Sequence, residues 1–321
     1  MRMVLYTLIA FAAALAALFL LGPRERIDAT IRFDPATLGA DPEAVLAQSE
    51  ARFSDIREGL QKEIVWRDPA TKRVTDWAVV YVHGFSASKT EIRPLPDLVA
   101  EALDANVFYT RLTGHGRTGE AMAEAEAGDW LNDAAEAIEV GRRIGRKVLV
   151  VATSTGATAS AFFAPDPALS KDIAGFVFVS PNFGVQAPGA DYLTLPWMRR
   201  IVPLIFGKER EFTSGDAAHN LAWTTRYPVV AVLPMIALVK HVRDLDFTKA
   251  RQPLLVLHAP DDEVVKPEAT RKIHDRWGGP KHWIDVEGTG NSHHVIAGEI
   301  MEPERTGPLA DEVIAWVRAL P

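Results

Sequence analysis

The residue with the clearest chemical signature is Ser154, which lies where an apolar strand runs into a helix of small residues. The segment from Lys147 to Gly156 reads KVLVVATSTG. A serine on such a turn is held in a strained conformation that lifts its hydroxyl above the sheet. The turn needs small residues two positions before and two after the serine, and Ala152 and Gly156 meet that need. The segment predicts a nucleophile, although an ordinary helix N-cap also fits it when it is taken alone.

A second strand end could supply hydrogen bonds to the group that such a serine attacks. The strand Trp77–Val82 is followed by His83-Gly84-Phe85. The glycine lets the backbone pass close to the serine. The backbone N–H of Phe85 and that of Thr155, at the N-terminus of the helix after the serine, could then hold a developing oxyanion.

Two later loops carry the acid and the base that would activate the serine. The strand Leu254–His258 is followed by Asp261 and Asp262, and the loop Gly290–Ile296 after the last strand contains His293 and His294. Along the chain the order is serine, acid, histidine, which is the order of α/β-hydrolases and differs from the two serine protease orders. Residue types alone leave both the acid and the base open between two neighbours.

The elements that must position these residues alternate along the chain, which predicts a mostly parallel sheet covered by helices on both faces. Between residues 181 and 249 the pattern changes to a proline-rich insertion with long apolar runs. Predicted strands are Glu63–Arg67, Trp77–Val82, Val107–Leu112, Lys147–Thr153, Ile173–Ser180, Leu254–His258 and His282–Val286. Predicted helices are Pro42–Ser49, Leu95–Asp104, Trp130–Ile144, Gly156–Ala164, Pro267–Trp277 and Leu309–Leu320.

With these motifs in place, the sequence resembles the α/β-hydrolase family, in particular its lipase, carboxylesterase and monoacylglycerol-lipase-like branch, which is related to serine aminopeptidases. The segments that carry the resemblance are His83-Gly84-Phe85, Gly114-His115-Gly116, Asp129-Trp130, Ala152–Gly156, Asp262–Val265 and Ser292–Ile296. The resemblance covers about residues 62–320. Ala152 departs from the glycine that the family usually has at that position.

The resemblance implies that Ser154 is the nucleophile, Asp262 the acid and His294 the base, with Phe85 and Thr155 as oxyanion donors. The family usually has one residue between its carboxylate and a pair of valines, which favours Asp262 over Asp261. It has histidine directly before Val-Ile, which favours His294 over His293. The resemblance also implies an α/β-hydrolase domain over residues 62–321, with a helical cap at about 182–249.

The N-terminal segment has a different composition. Between Met3 and Leu21 the chain has 19 residues without a charge, close to the roughly 20 that cross a bilayer as a helix. The exit sequence Leu20-Leu21-Gly22-Pro23 has no small-x-small cleavage site. We therefore expect an N-terminal transmembrane helix, an uncleaved anchor or signal over residues 1–23, followed by a tether over 24–61. We place the N-terminus inside and the catalytic domain outside the cytoplasm, although the flanking positive charges are nearly balanced.

Composition excludes several classes of function. The formal net charge is −7, the opposite of what a nucleic-acid partner needs. There are no cysteines, so disulfides and cysteine-based sites are absent. The segment Gly114–Gly119 matches a dinucleotide fingerprint by letter, but the next strand lacks the acidic residue that would hold the ribose. Adjacent histidines point apart and do not predict a metal site. We expect neither a metal nor an organic cofactor.

The insertion suggests the substrate. Its stretch Leu193–Phe206 is strongly apolar, and an apolar cap over a serine suits acyl chains better than sugars or charged peptides; ordinary packing of cap helices would give the same pattern. We therefore expect cleavage of carboxylic esters such as monoacylglycerols, lysophospholipids or short-chain esters. A serine aminopeptidase or amidase, and a non-catalytic lipid- or partner-binding protein, are the alternatives. The sequence leaves the oligomeric state open.

Overall fold

In the part of the chain that the structure describes, seven strands form the central sheet, and two more form a small sheet of their own. The computed structural model describes residues 2–212, 216–287 and 291–320. The strands are β1 (Glu63–Val65), β2 (Thr75–Val82), β3 (Asn106–Tyr109), β4 (Gly145–Thr153), β5 (Ile173–Val179), β6 (Glu209–Glu211), β7 (Arg226–Pro228), β8 (Leu254–His258) and β9 (Lys281–Asp285).

The central sheet has the order β1-β3-β2-β4-β5-β8-β9. β1 runs antiparallel to β3, and every other neighbouring pair is parallel. β4 lies in the middle, where Val150 pairs with Val80 of β2 and Phe176 of β5. Near-continuous apolar runs are typical of such strands because both faces of a parallel sheet are covered. The predicted mostly parallel sheet is confirmed.

Ten α-helices accompany the strands in the described part of the chain. They are α1 (Arg2–Leu20), α2 (Pro42–Glu50), α3 (Leu95–Ala102), α4 (Ala127–Ile144), α5 (Ser154–Ala161), α6 (Met198–Phe206), α7 (Ala217–Ala222), α8 (Val232–Arg243), α9 (Pro267–Arg276) and α10 (Pro303–Arg318).

The side chains of β4 show how the two faces are covered. Val148, Val150 and Ala152 belong to the core that contains α4, α5 and α8, whereas Leu149 and Val151 belong to the core that contains α3 and α10. This alternation follows from the two-residue period of a strand. Both cores are closed to water, so the loops at the carboxyl ends of the strands have a rigid base.

The cap is the insertion between β5 and β8. It contains the antiparallel pair β6–β7 and the helices α6, α7 and α8. Val185, near the start of the insertion, forms an antiparallel bridge with Val265, which follows β8. The cap is therefore joined to the loop that follows β8.

The segment from 24 to 61, predicted as a tether, packs against the domain in the structure. Leu38 and Leu46 are buried, and Ile31 and Phe33 pack on the same core. The alternation Ile27, Ala29, Ile31, Phe33 has the two-residue period of an extended segment with one covered face. Reading the stretch by its polar residues alone overlooks that period.

Helix boundaries also differ from the predicted ones. α4 begins at Ala127 instead of Trp130, where Glu126 and Asp129 form a capping box. α10 begins at Pro303 instead of Leu309 and continues through Pro308. A proline inside a helix normally suggests an end. Here the apolar stripe of the helix (Leu309, Val313 and Val317) is buried against the sheet, and this packing outweighs the lost hydrogen bond.

α1 differs from the other helices because none of its residues is buried. By length and composition it could cross a membrane, with a mean hydropathy of 2.4. The same two properties fit a signal sequence.

Candidate active site

Ser154 lies on the turn between β4 and α5, at the carboxyl edge of the sheet. Its φ is 49°, in the left-handed region that L-residues rarely adopt. A Cβ at Gly156 would lie 2.3 Å from the carbonyl oxygen of Val82 and 2.4 Å from that of His83. Only glycine fits there, whereas at Ala152 the turn accepts a methyl group that is fully buried. The departure from the family pattern is therefore compatible with this turn.

His294 lies beside the serine. Its Nε2 is 3.0 Å from Ser154 Oγ and accepts the hydroxyl proton, while its Nδ1–H donates to Asp262 Oδ2 at 2.8 Å. The side chains of His294 and Asp262 are 10% and 0% exposed. The structure thus joins the three residues in one hydrogen-bonded chain.

The loop after β8 fixes the carboxylate of Asp262 by its second oxygen. Oδ1 accepts the backbone N–H groups of Val264 at 2.8 Å and of Val265 at 2.9 Å. The neighbouring N–H of Glu263 donates to the carbonyl oxygen of Ser292 at 3.0 Å, which ties the acid loop to the histidine loop. The first residue of the predicted histidine loop, Gly290, lies outside the described residues.

The two neighbours that the residue types left open form a separate pair. His293 Nδ1 lies 3.2 Å from Asp261 Oδ2, and their side chains are 30% and 59% exposed. Neither has a hydrogen bond to Ser154. The structure therefore brings Asp262 and His294 to the serine and leaves Asp261 exposed and His293 partly exposed, away from it.

The predicted oxyanion donors come from the loop after β2 and from the start of α5. Phe85 N–H makes no hydrogen bond to another described residue. Thr155 is the second residue of α5, and N–H groups in the first turn of a helix lack intrahelical acceptors. A Cβ at Gly84 would lie 3.2 Å from Ser154 Cβ, so this loop passes as close to the serine as the sequence predicted.

Sequence reasoning missed a buried carboxyl group beneath this loop. Glu91 is 2% exposed, and its Oε2 accepts Gly84 N–H and the hydroxyl of Tyr81, both at 2.8 Å. Burial raises the pKa of Glu91 above its usual value. Glu91 follows Gly84 by seven residues without any recognisable motif, so the sequence contained no signal for it.

His83 holds the same loop from the other side. Its Nδ1–H donates to Gly84 O at 2.8 Å, and its Nε2 accepts Leu112 N–H at 3.1 Å. This pattern requires a neutral ring, and complete burial lowers the pKa of His83 to about 4. The ring therefore acts as a fixed support for the loop.

Aromatic rings form a wall beside this loop. The Phe85 ring lies edge-on to His115, Trp130 and Tyr227, with centroids 5.5–5.9 Å apart. His115 belongs to the segment that matched a dinucleotide fingerprint by letter. It is 1% exposed, so its role is packing, together with a hydrogen bond to Thr113 O at 3.1 Å.

A cavity of about 490 Å³ lies within the cap, and Ser154 is not part of its wall. Two short connections join it to the site. Met235 lines the cavity and accepts a hydrogen bond from Asn182, whose backbone N–H donates to Ser154 O at 3.1 Å. Val185 lines it too, and the next residue, Gln186, donates to the carbonyl oxygen of Asp262 at 3.0 Å.

This arrangement can activate a serine hydroxyl. A neutral imidazole that accepts the hydroxyl proton, oriented by a buried carboxylate, is the constellation used in nucleophilic attack on a carbonyl carbon. Nearby N–H groups at a helix N-terminus suit an oxygen that becomes negative.

Comparison with solved structures supports the fold. One structure of the metagenome-derived lipolytic enzymes LipS and LipT matches with 22% identity and a TM-score of 0.64, covering 82% of this chain and 99% of that one. A monoglyceride lipase from Saccharomyces cerevisiae matches with 14% identity and a TM-score of 0.57, covering 80% and 90%. A monoacylglycerol lipase from Paleococcus ferrophilus matches with 15% identity and a TM-score of 0.55, covering 82% and 99%.

The comparison by sequence is more specific. No curated protein matches the chain. The model of the family described as serine aminopeptidase, S33, matches residues 73–289, which is more than half of the chain. The protein therefore belongs to the serine aminopeptidase S33 family, and it is a serine hydrolase with the α/β-hydrolase fold that its sequence predicted.

Proposed function

We propose that this protein cleaves carboxylic esters of apolar acyl substrates through an acyl-enzyme on Ser154. The observation that carries the proposal is the hydrogen-bonded chain from Ser154 Oγ through His294 to Asp262. It lies beside a cap cavity with a mostly apolar wall.

The proposed reaction has two steps. His294 Nε2 takes the hydroxyl proton as Ser154 Oγ attacks the ester carbonyl, and it returns the proton to the departing alcohol. Water then attacks the acyl-enzyme by the same route, releasing the acid and restoring the hydroxyl. Asp262 holds the ring with Nε2 toward the serine and stabilises the imidazolium ion that forms.

The proposed oxyanion site consists of the backbone N–H groups of Phe85 and Thr155. In both tetrahedral intermediates the former carbonyl oxygen carries the negative charge. Losing one donor of this kind typically costs about 100- to 1000-fold in rate. Glu91 and His83 hold Gly84 from two sides, which supports a fixed position for Phe85 N–H.

The cap cavity is the proposed site for the acyl chain. Val202, Val232 and Ile236 form part of its wall, while Glu209, Arg210 and Glu211 add charge. Apolar walls with a few charged groups suit a lipid that has one polar end. Monoacylglycerols, lysophospholipids and short-chain esters fit this description.

The proposed organisation places the enzyme on a membrane. Residues 1–23, which include α1, form the anchor. Residues 24–61 connect it to the catalytic domain, 62–321, which includes the cap at about 182–249. We place the catalytic domain outside the cytoplasm. The support is the length and hydropathy of α1 and the absence of buried residues in it.

A fluorophosphonate probe tests the nucleophile directly. The full chain in detergent should be labelled, and the Ser154→Ala variant should not. A wild-type protein that is folded by circular dichroism and still unlabelled would contradict the proposal and favour the non-catalytic alternative.

An acyl-chain series tests the substrate class. We expect kcat/KM to rise from two-carbon to longer p-nitrophenyl esters as the chain fills the cavity, at up to about fourfold per added methylene. Replacing Val202 by Trp should narrow the cavity and move the optimum to shorter chains. An optimum at two carbons in both proteins would rule the cavity out as the acyl site.

A second candidate is aminopeptidase activity, which the description of the matching family favours. An aminopeptidase needs a carboxylate to bind the substrate ammonium group, and Glu211 at the cavity could supply one. Aminoacyl p-nitroanilides should be measured beside the esters. Turnover of the anilides with a higher kcat/KM, lost in Glu211→Gln, would make this candidate the better one.

A further inference from the structure

Trp197, the residue before α6, joins the cap to the C-terminal end of α1. Its indole Nε1–H donates to Leu18 O at 3.1 Å, and its backbone N–H donates to Pro23 O at 2.7 Å. The last carbonyl groups of a helix lack intrahelical donors. The N–H of Gly22, which could serve Leu18, bonds to Phe19 O instead. The indole therefore pairs a carbonyl that α1 leaves free.

Two further contacts strengthen this junction. A Cβ at Gly22 would lie 2.0 Å from Trp197 Nε1, so a side chain there would displace the indole. Arg199 donates to both oxygens of the Glu25 carboxylate, at 2.9 and 2.6 Å, and the Glu25 side chain is only 9% exposed. We call the pairs Gly22–Trp197 and Glu25–Arg199 the latch.

The other end of α6 presents an apolar surface. Leu204, Ile205 and Phe206 are 84%, 66% and 64% exposed, and we call them the tip. Val202 is 1% exposed and lines the cap cavity, as does Phe206. A helix of nine residues is about 14 Å long. The tip therefore lies close to the latch and at the rim of the cavity.

The chemistry around the tip matches a lipid surface. Basic side chains are exposed close to the latch and the tip in sequence: Arg24, Arg26, Arg200 and Lys208. Tyr192 is 69% exposed. Basic and amphipathic aromatic side chains are typical of the membrane interface, where they meet phosphates and ester groups. The chain has a net charge of −7, yet two of these basic residues, Arg24 and Arg26, follow α1 directly in the sequence.

We propose that the latch holds the tip in the surface of the bilayer that α1 spans, so that the cap cavity takes its acyl substrate directly from the lipid. This inference rests on the proposed function because it requires α1 to be a membrane anchor. It adds a defined membrane-contacting surface on the cap and a defined connection that sets its height above the bilayer.

Insertion can be measured without any assay of activity. The chain has no cysteine, so Ile205→Cys provides a single site for an environment-sensitive fluorophore in the full chain, reconstituted in phosphatidylcholine vesicles. We expect a blue shift at this site and quenching by nitroxide-labelled lipid. The matched control is Val74→Cys. Val74 is 50% exposed and lies just before the N-terminal end of β2, at the edge of the sheet opposite to Ser154. A fluorophore there should show the emission of an aqueous environment.

A third site separates the inference from the anchor on which it rests. Leu15→Cys lies within α1 and should report lipid. Lipid at 15 together with water at 205 would overturn the proposed surface and leave the anchor intact. Water at both sites would overturn the anchor and the inference with it. Reaction with a fluorophosphonate probe tests the hydrolase separately in the same samples.

Activity provides an independent test. Neither Leu204 nor Ile205 lines the cavity. The double variant Leu204→Gln with Ile205→Gln should raise the apparent KM for a monoacylglycerol embedded in vesicles by about tenfold or more. It should leave kcat/KM for a water-soluble p-nitrophenyl ester within about twofold. Equal losses on both substrates, or none on either, would contradict the proposal.

The latch is tested by removing its donors. Trp197→Phe keeps an aromatic ring and loses Nε1–H, and Arg199→Gln loses the ion pair. Together they should reduce the blue shift at position 205 and raise the vesicle KM about fivefold or more, with the soluble ester unaffected. Arg146→Gln, which breaks an exposed ion pair with Asp76, is the control. A double latch variant that behaves like this control would overturn the role of the latch.

Discussion

Two acid–histidine pairs lie side by side at the carboxyl edge of the sheet, and they come from the same two loops. Asp262 and His294 are buried, and His294 is hydrogen-bonded to Ser154, whereas Asp261 is exposed, His293 is partly exposed, and neither makes a hydrogen bond to Ser154. The residue types are the same in both pairs. The difference lies in the backbone, because two N–H groups bind Asp262 Oδ1 and fix the carboxylate toward the interior.

This comparison shows why composition alone does not identify an active site. An exposed carboxylate such as that of Asp261 interacts weakly with a neighbouring imidazole because water screens it. The same groups in the interior are held in one geometry, and a hydrogen bond there is stronger. Substitutions can distinguish the inner pair, Asp262 and His294, from the outer pair, Asp261 and His293. They can also distinguish both pairs from the other buried groups beside the serine.

The largest contrast is expected between the two histidines. His294→Ala should lower kcat by about 10⁴- to 10⁶-fold, because no other described group can take the proton of Ser154. His293→Ala should stay within about threefold of the wild type. Steady-state hydrolysis of a soluble p-nitrophenyl ester measures both. A large loss in His293→Ala together with a small one in His294→Ala would show that Asp261 and His293 form the functional pair.

The carboxylates should differ almost as much. Asp262→Asn can keep the loop but presents an amide to the histidine, which favours the wrong tautomer; a loss of about 10⁴-fold in kcat is typical of that change. Asp261→Asn should remain within about threefold. Because both substitutions keep the side-chain shape, the two unfolding curves should be similar. If Asp261→Asn alone abolished turnover, the outer pair would be the functional one.

The pairs also show how far the sequence could lead. The strand-to-helix turn at Ser154 could be predicted because it needs small residues two positions before and two positions after the serine, and this spacing is visible in the sequence. The choice between Asp261 and Asp262 could not be predicted from residue types, because both are aspartates. They differ only in the direction in which the backbone of the loop points each side chain. The resemblance to a family favoured Asp262, and its catalytic role stays a prediction until the variants are measured.

Other features left weaker signals. The mostly parallel sheet and the alternation of its strands with helices followed from periodicity and were predicted from the sequence. The packing of residues 24–61 was overlooked because the polar and charged side chains that alternate with the apolar ones make the stretch resemble a tether. Glu91 could not be found from sequence, since its contacts with Gly84 and Tyr81 arise from three-dimensional proximity. Nor could the latch, because Trp197 and Leu18 are 179 residues apart.

Glu91 extends the comparison to a buried carboxyl group without a histidine. Burial raises its pKa. Glu91→Gln keeps an acceptor oxygen for Gly84 N–H and Tyr81 OH, so it should change kcat by less than about fivefold. Glu91→Ala removes the acceptor of Gly84 N–H and Tyr81 OH and should lower kcat by about 30-fold through a displaced oxyanion loop. Ester kinetics measures both. Equal losses in the two variants would show that the charge of Glu91, instead of its position, is what matters.

The smallest expected effect concerns His83, a buried histidine without a carboxylate partner. Burial lowers its pKa to about 4 in the folded state, from about 6.5 when the chain is unfolded. Below pH 6.5 the unfolded chain binds a proton that the folded chain does not, so stability is lost as the pH falls from 6.5 towards 4.

His83→Asn keeps a donor for Gly84 O and cannot titrate. Between pH 7 and pH 5, urea unfolding should show the wild type losing about 2 kcal/mol more than this variant. Parallel losses in the two proteins would mean that His83 already binds its proton in the folded state. The neutral state that we infer for the His83 ring from its hydrogen bond with Leu112 N–H would then be wrong.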